Sequence, residues 1–296
     1  MKKIFHKTIL FATLLIFAFS VANGQSMGPA KRSKKSGGPK KKNIYAGESK
    51  SDFVENSEKG SVNWTDQYIE AEGNSVYDTT RFKIKNQAKL MAQRGALVDA
   101  QRNLLEIVNG VLVEGQTTVK DLVVVSDDVK TKVSGMLKGA IQVGKTKFED
   151  GVATVKLRIP LYEDGLAEAV DTTTPAVAPP VIPGPVTDSL PKNIVMTVNG
   201  EYKPRLFPKL TDAQNQTILD MADSFDPTKG KAPKILRQSK EALDAMKGKK
   251  GTELLEVTAD KLGNLVLNEK SKARVEKWKK AGLIVWSIVK KLILPI

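Results

Sequence analysis

Residues suited to chemistry are scarce in this chain. It has no cysteine, and its one histidine, His6, falls in the N-terminal segment. Beyond that segment there is no thiolate nucleophile, no imidazole base and no soft zinc ligand, which excludes catalysis and metal centres built on those groups. Carboxylates remain. Asp127 with Asp128, Glu149 with Asp150 and Glu163 with Asp164 are adjacent, but each pair sits where a turn or cap is expected, and acidic residues belong there for local reasons. Residues 248–251 read Gly-Lys-Lys-Gly and lack the Ser or Thr that follows lysine in a phosphate-cradling loop. Ser271-Lys272 reads as a helix start rather than a Ser-Lys dyad. The chain is therefore expected to be non-enzymatic, with no catalytic residue, cofactor or metal site.

The groups that do cluster are basic. Lys31, Arg32, Lys34, Lys35, Lys40, Lys41 and Lys42 lie among Gly28, Pro29, Gly37, Gly38 and Pro39 with no apolar periodicity, and residues 25–59 are read as a disordered basic arm. Of the formal net charge of +14, Lys2, Lys3 and Lys7 supply three and the arm seven, so the chain from Ile44 onward carries only +4. A polybasic arm suits nucleic acid through counterion release, but this one has no aromatic residue on which bases would stack. Nucleic acid is disfavoured as a partner. The seven residues are expected to contact an anionic surface such as lipid headgroups or lipopolysaccharide, at roughly 1 kcal/mol per basic residue. The bland alternative is a solvated tether with no partner.

Export favours that assignment. Lys2, Lys3 and Lys7 precede an apolar run from Ile9 through Phe19, and Ser20-Val21-Ala22-Asn23-Gly24 supplies small residues for cleavage. Residues 1–24 thus read as a signal peptide, the run being well short of the roughly 20 residues that span a bilayer. With no cysteine after that run, no lipid anchor is expected.

The elements come next. A strand is expected over 64–77, anchored by Trp64, Tyr68 and Val76. A helix follows over 86–108, where Met91, Leu97, Ala100, Leu104, Ile107 and Val108 recur at helical steps and Gln93, Arg94, Asp99, Gln101 and Arg102 fall mostly opposite. Asn109-Gly110 is expected as a left-handed stop, and Val111 begins a strand running at least to Lys120. Ser126 caps a short helix through Met136. Asp150-Gly151 between residues 140–148 and 152–159 signals a type I′ hairpin, with Ala153, Val155, Leu157 and Ile159 on the face turned toward the long helix.

Residues 172–191 contain Pro175, Pro179, Pro180, Pro183, Pro185 and Pro191, a density that favours an extended spacer. Beyond it a strand is expected at 193–198, an irregular edge at 204–210, and helices at 213–223 and 233–247, the last with Ile235, Leu236, Ser239, Leu243 and Met246 on one stripe. Residues 254–257 and 265–267 flank a turn at 260–264. A basic helix at 273–281 leads into the apolar run 283–296, which suits either a buried terminal strand or a membrane-interface segment. The fold class is α+β: two small helix-on-antiparallel-sheet domains, 60–171 and 192–296, joined by the Pro-rich linker.

The run Ala96-Leu97-Val98-Asp99-Ala100-Gln101-Arg102-Asn103-Leu104-Leu105-Glu106-Ile107-Val108-Asn109-Gly110-Val111, with Thr117-Thr118-Val119-Lys120-Asp121, Lys138-Gly139-Ala140 and the Asp150-Gly151 hairpin, resembles the Lpp-twenty lipoprotein family and its FlgP-like flagellar outer-membrane members. The likeness covers roughly residues 60–162. Val198-Asn199-Gly200 and Lys203-Pro204-Arg205-Leu206-Phe207-Pro208-Lys209-Leu210 resemble, more weakly, the tail of longer members. The family's lipid-modified cysteine has no counterpart here. What the resemblance implies is a structural protein of the periplasm or the periplasmic face of the outer membrane, acting by assembly or docking, with other copies of itself and envelope or flagellar-motor proteins as partners. The rival expectation is a binding module for an anionic envelope polymer or lipid surface.

Cleavage after Gly24 should leave an exported chain beginning at Gln25 or within a few residues of it. Mass spectrometry of the exported fraction checks this, and an intact Met1 there would refute it.

Overall fold

A computed structural model describes residues 52–171, 190–225, 232–239, 250–283 and 285–295. Residues 1–24, the seven basic arm residues and linker residues 172–189 lie outside them. The fold is α+β.

The first sheet begins with β1 (Val54–Ser57) and β2 (Gly60–Asn63), followed by β3 (Tyr68–Val76). Helix α1 (Lys85–Gly110) crosses behind it. A ribbon of β4 (Leu112–Glu114) and β5 (Thr117–Thr118) leads into helices α2 (Val119–Val125) and α3 (Asp127–Lys138). The chain returns through β6 (Ile141–Gln142), β7 (Lys147–Glu149) and β8 (Val152–Pro160) to helix α4 (Leu166–Val170). Strand order is β1-β2-β3-β8-β6, with β7 also on β8, and every pairing is antiparallel.

Alternation in β8 settles which face is buried. Ala153, Val155, Leu157 and Ile159 are all buried, as expected. On the other face the register sets Arg158 opposite Glu70 and Lys156 opposite Glu72, and the side chains pair: Arg158 Nε donates to Glu70 at 3.0 Å and Lys156 reaches both carboxylates at 2.9 Å. The hairpin turn is also as expected, with Asp150 at φ 47° and Gly151 at φ 76°. Ser126 accepts from the Val129 amide at 3.3 Å and so caps α3.

Helix α1 corrects the expected core face. Its buried residues are Ala88, Ala92, Ala96, Ala100, Leu104 and Val108, one row at steps of four, whereas Met91 and Leu97 are exposed. The cause is in β3. A Cβ at Gly73 would collide with the α1 backbone at Ala96 and Ala100, so helix and sheet approach so closely that only small side chains fit between them. Large side chains on α1 are displaced outward.

Other boundaries shift for local reasons. Residues 52–59, expected in the disordered arm, are ordered: Val54 is buried and β1 pairs with β2. The strand expected from Trp64 starts at Tyr68, because Trp64 turns inward and donates its indole N–H to Glu55 at 2.7 Å. Gly110 ends α1 without a left-handed residue, and extended Val111 takes the cap position, its amide donating to Val108. The strand expected to Lys120 breaks at Gly115, φ 54°, and a Thr118–Asp121 capping box starts α2 instead.

The second sheet has seven strands: β9 (Asn193–Asn199), β10 (Lys209–Thr211), β11 (Thr217–Asp220), β12 (Lys234–Arg237), β13 (Thr252–Ala259), β14 (Leu265–Leu267) and β15 (Val289–Leu294). Their order is β11-β10-β14-β13-β9-β15-β12. This sheet is mixed rather than antiparallel, since β10/β14, β13/β9, β9/β15 and β15/β12 run parallel. The hydrophobic pattern explains why: Ile194, Val195 and Met196 are consecutive and buried, as are Leu292, Ile293 and Leu294, and strands covered on both faces suit parallel pairing. The apolar terminal run is a sheet strand, preceded by a short helix, Val285–Ile288. Of the helix expected at 213–223, Thr217–Asp220 is β11 and only the end is helical, in a short helix Met221–Ser224. Within the helix expected at 233–247, Lys234–Arg237 is a strand because Ile235 and Leu236 are both buried, on opposite faces; residues 240–249 lie outside the described residues.

The two halves share one core. A single hydrophobic cluster runs from Trp64, Leu104 and Leu157 to Leu206, Met196 and Trp286, and Tyr162 meets Phe225 edge to face at 6.1 Å. Backbone bonds cross as well: the Leu206 and Phe207 amides donate to Leu112 and Val113 of β4 at 3.0 and 2.9 Å. The halves expected to stand as separate bodies are packed as one.

Leu104→Ala should cost about 2–5 kcal/mol, the range for emptying a closed site, because Leu104 is fully buried between helix and sheet. Gly73→Val should prevent folding altogether. Denaturant titration of both variants checks this, and a Gly73→Val chain as stable as the parent would refute the close approach.

Candidate functional site

Of the sequence-predicted site residues, Lys31, Arg32, Lys34, Lys35, Lys40, Lys41 and Lys42 all lie outside the described residues. The point where the described chain begins is firmly held. Asp52 forms an antiparallel bridge with Leu236 on edge strand β12, the Phe53 amide donates to Thr65 Oγ1 at 2.8 Å, and Thr65 Oγ1 donates to Ile235 at 2.5 Å. The Arg237 guanidinium lies 5.6 Å from the Phe53 ring centre. The paired carboxylates keep their local duties: Asp127 and Asp128 occupy the first turn of α3, Asp150 is a hairpin residue, and Glu163 and Asp164 are turn residues at φ 55° and 65°. Among the described residues no group of three or more His, Cys, Asp or Glu could hold a metal ion. No described helix is long and apolar enough to cross a membrane, and Trp278 and Trp286 of the terminal segment are buried.

Two surface features stand apart. The first is a cleft of about 720 Å³ where the halves meet, bounded by the β4–β5 turn and the β13–β14 turn. Its floor is Arg205, only 4% exposed. The guanidinium donates to the carbonyls of Gly115 at 2.7 Å, Lys203 at 3.0 Å and Leu262 at 3.2 Å, lies 5.1 Å from the Tyr202 ring centre, and pairs with no carboxylate among the described residues. A buried cation held by carbonyl dipoles fixes three segments at one point. Gly263, at φ 84°, belongs to the same arrangement, since a Cβ there would collide with the guanidinium. Beside it the buried Tyr202 hydroxyl has no hydrogen-bond partner among the described residues, and burial pushes its pKa up to about 12 despite the opposing influence of Arg205. The cleft wall mixes Lys203 and Lys261 with Glu201 and Asp260, so its field has no single sign.

The second feature is the outer face of α1. Leu90, Met91, Leu97, Val98 and Leu105 are exposed there, Val98 at 55%. A depression of about 470 Å³ is sunk into this face, lined by Met91, Arg94, Gly95, Val98, Asp99 and Arg102. Arg94 and Arg102 make no ion pair with any described residue. The outward row is legible in the sequence as Ile84, Met91, Val98 and Leu105 at steps of seven, a spacing that competes with the rule that large apolar residues form the core. Arg205 gave no signal at all, being one cation among many in a Pro-containing segment.

Arg205→Met should destabilise the chain by about 1.5–3 kcal/mol, the worth of hydrogen bonds made by a charged donor. A guanidinium chloride titration measures it, and a change below about 0.5 kcal/mol would show that the seam does not depend on Arg205.

In comparisons with known proteins, no family model matches the chain and no curated protein matches it significantly.

Proposed function

We propose that this chain is a non-enzymatic component of the bacterial cell envelope that acts by assembly or docking, related to the FlgP-like flagellar proteins and working near the outer membrane. The observation that carries this reading is the outer face of α1. A 26-residue helix that buries alanines and turns Leu90, Met91, Leu97, Val98 and Leu105 to the surface presents a contiguous apolar face, the kind of surface that marks an interaction site. The absence of cysteine, and of histidine beyond His6, supports a role without covalent or metal chemistry. The leader-like residues 1–24 support export to the periplasm. A second reading has its own observation. Arg94 and Arg102 border the apolar face without ion-pair partners among the described residues, and the seven basic residues of the arm add to them, a combination that suits an anionic lipid or lipopolysaccharide surface.

Light scattering or electron microscopy of the purified chain from Gln25 onward separates the two. An assembling protein is large without any ligand, whereas a surface binder is monomeric and cosediments with anionic vesicles. In the second case, replacing the seven arm residues with Ser should abolish binding that already weakens as salt rises, the Debye length being about 8 Å at physiological ionic strength. A monomer indifferent to anionic vesicles would refute both.

A further inference from the structure

Met91, Arg94, Gly95 and Val98 stand at positions i, i+3, i+4 and i+7, and four residues so spaced on one helix form the hole that receives a single side chain from a facing helix. In this protein the hole is empty of any described side chain. It is the depression in the outer face of α1, and Gly95 is one of its lining residues. A matching knob lies on the same helix ten residues from Gly95. Leu105 is 40% exposed.

We propose that α1 pairs antiparallel with α1 of a second copy, Leu105 of each chain entering the Met91–Arg94–Gly95–Val98 hole of the other; this rests on the assembly reading above. The symmetry is that of an isologous two-fold contact, in which the same patch serves both sides. The axis falls level with Ala100. At about 1.5 Å per residue, Gly95 and Leu105 lie equally far from it in opposite directions, as do Arg94 and Glu106. Setting Leu105 over Gly95 therefore also sets each Arg94 beside the other chain's Glu106. Arg94 has no ion-pair partner among the described residues, and Glu106, although it meets Lys59 through Oε2, keeps 60% of its side chain exposed. Charge and shape thus select the same register. An anionic membrane would gain from Arg94 and Arg102 but lose from Glu106 and Asp99 on the same face, which is why a second copy fits better.

Sedimentation velocity on the chain from Gln25 onward, over rising concentration, tests this through four variants whose changed side chains are exposed and whose folding is checked by circular dichroism. Leu105→Asp should abolish the dimer step. Arg94→Glu and Glu106→Arg should each weaken association by about tenfold or more, and the double swap Arg94→Glu/Glu106→Arg should restore it, as expected for a close pair across an interface. Assemblies indifferent to all four variants would overturn the α1 interface and leave the assembly reading standing. A chain monomeric throughout would overturn both. Tighter binding to phosphatidylglycerol vesicles by Glu106→Arg, with no change in oligomeric state, would assign the face to a membrane and overturn the proposal.

Discussion

Everything in the first half of this molecule depends on how closely α1 lies to β3. Gly73 removes the one side chain that would hold them apart, and the row Ala88, Ala92, Ala96 and Ala100 removes the obstruction from the other side. At that separation polar groups on the flanks of the helix reach strand backbone. Asp99 accepts from the Asn74 amide at 2.9 Å, and Asn103 donates to the Glu72 carbonyl at 2.7 Å. These bonds satisfy groups on β3 that its neighbouring strand leaves free, so the approach is locked by hydrogen bonds as well as by dispersion. Only toward its C-terminal end, at Leu104 and Val108, does the helix turn larger side chains into the core.

The same economy of space shapes the seam. Strand β4 has only β5 as a ladder partner, and the Leu206 and Phe207 amides complete its other edge. An edge covered this way is no longer open to another chain. Arg205 sits immediately before those amides, so its carbonyl partners in the β4–β5 and β13–β14 turns are brought together by the register that Leu206 and Phe207 impose. Tyr162 adds a hydroxyl donated to the Leu206 carbonyl at 2.8 Å. Residues 205–207 thus hold the second sheet to the first through backbone and side chain together, and the shared core follows from that contact.

A helix that packs through alanine has a consequence for the surface. Leu90, Met91, Leu97, Val98 and Leu105 cannot enter the interface with β3, and they face outward on the longest helix among the described residues. The energetic cost of leaving such a face in water is the reason to seek an interaction there rather than in the polar cleft at Arg205. The cleft, with its mixed charges and its guanidinium already occupied by carbonyls, serves the architecture first.

Period-two alternation in β8, the Asp150-Gly151 turn, the Ser126 cap and the existence of the long helix were all legible in the sequence, because each is set by neighbours within a few residues. The β13–β14 hairpin was legible for the same reason, whereas the terminal run was legible only as apolar: Val285–Ile288 is helical and the strand is confined to Val289–Leu294. The buried face of α1 was not, since the choice between an alanine row and a leucine row is made by Gly73, some 25 residues away in the chain and a strand in another layer. Nor was Lys234–Arg237, which becomes a strand only because β15 offers it a parallel partner more than 50 residues later. The candidate site divides the same way: the basic residues of the arm are visible as composition and the outward row of α1 as a spacing, whereas the carbonyl cage around Arg205 exists only once distant segments meet. Local hydrogen bonding and steric preference thus determined the turns, caps and strand alternation from sequence alone; tertiary structure decided which helix face is core and which sheet is parallel, because those depend on the distance between layers that only packing sets.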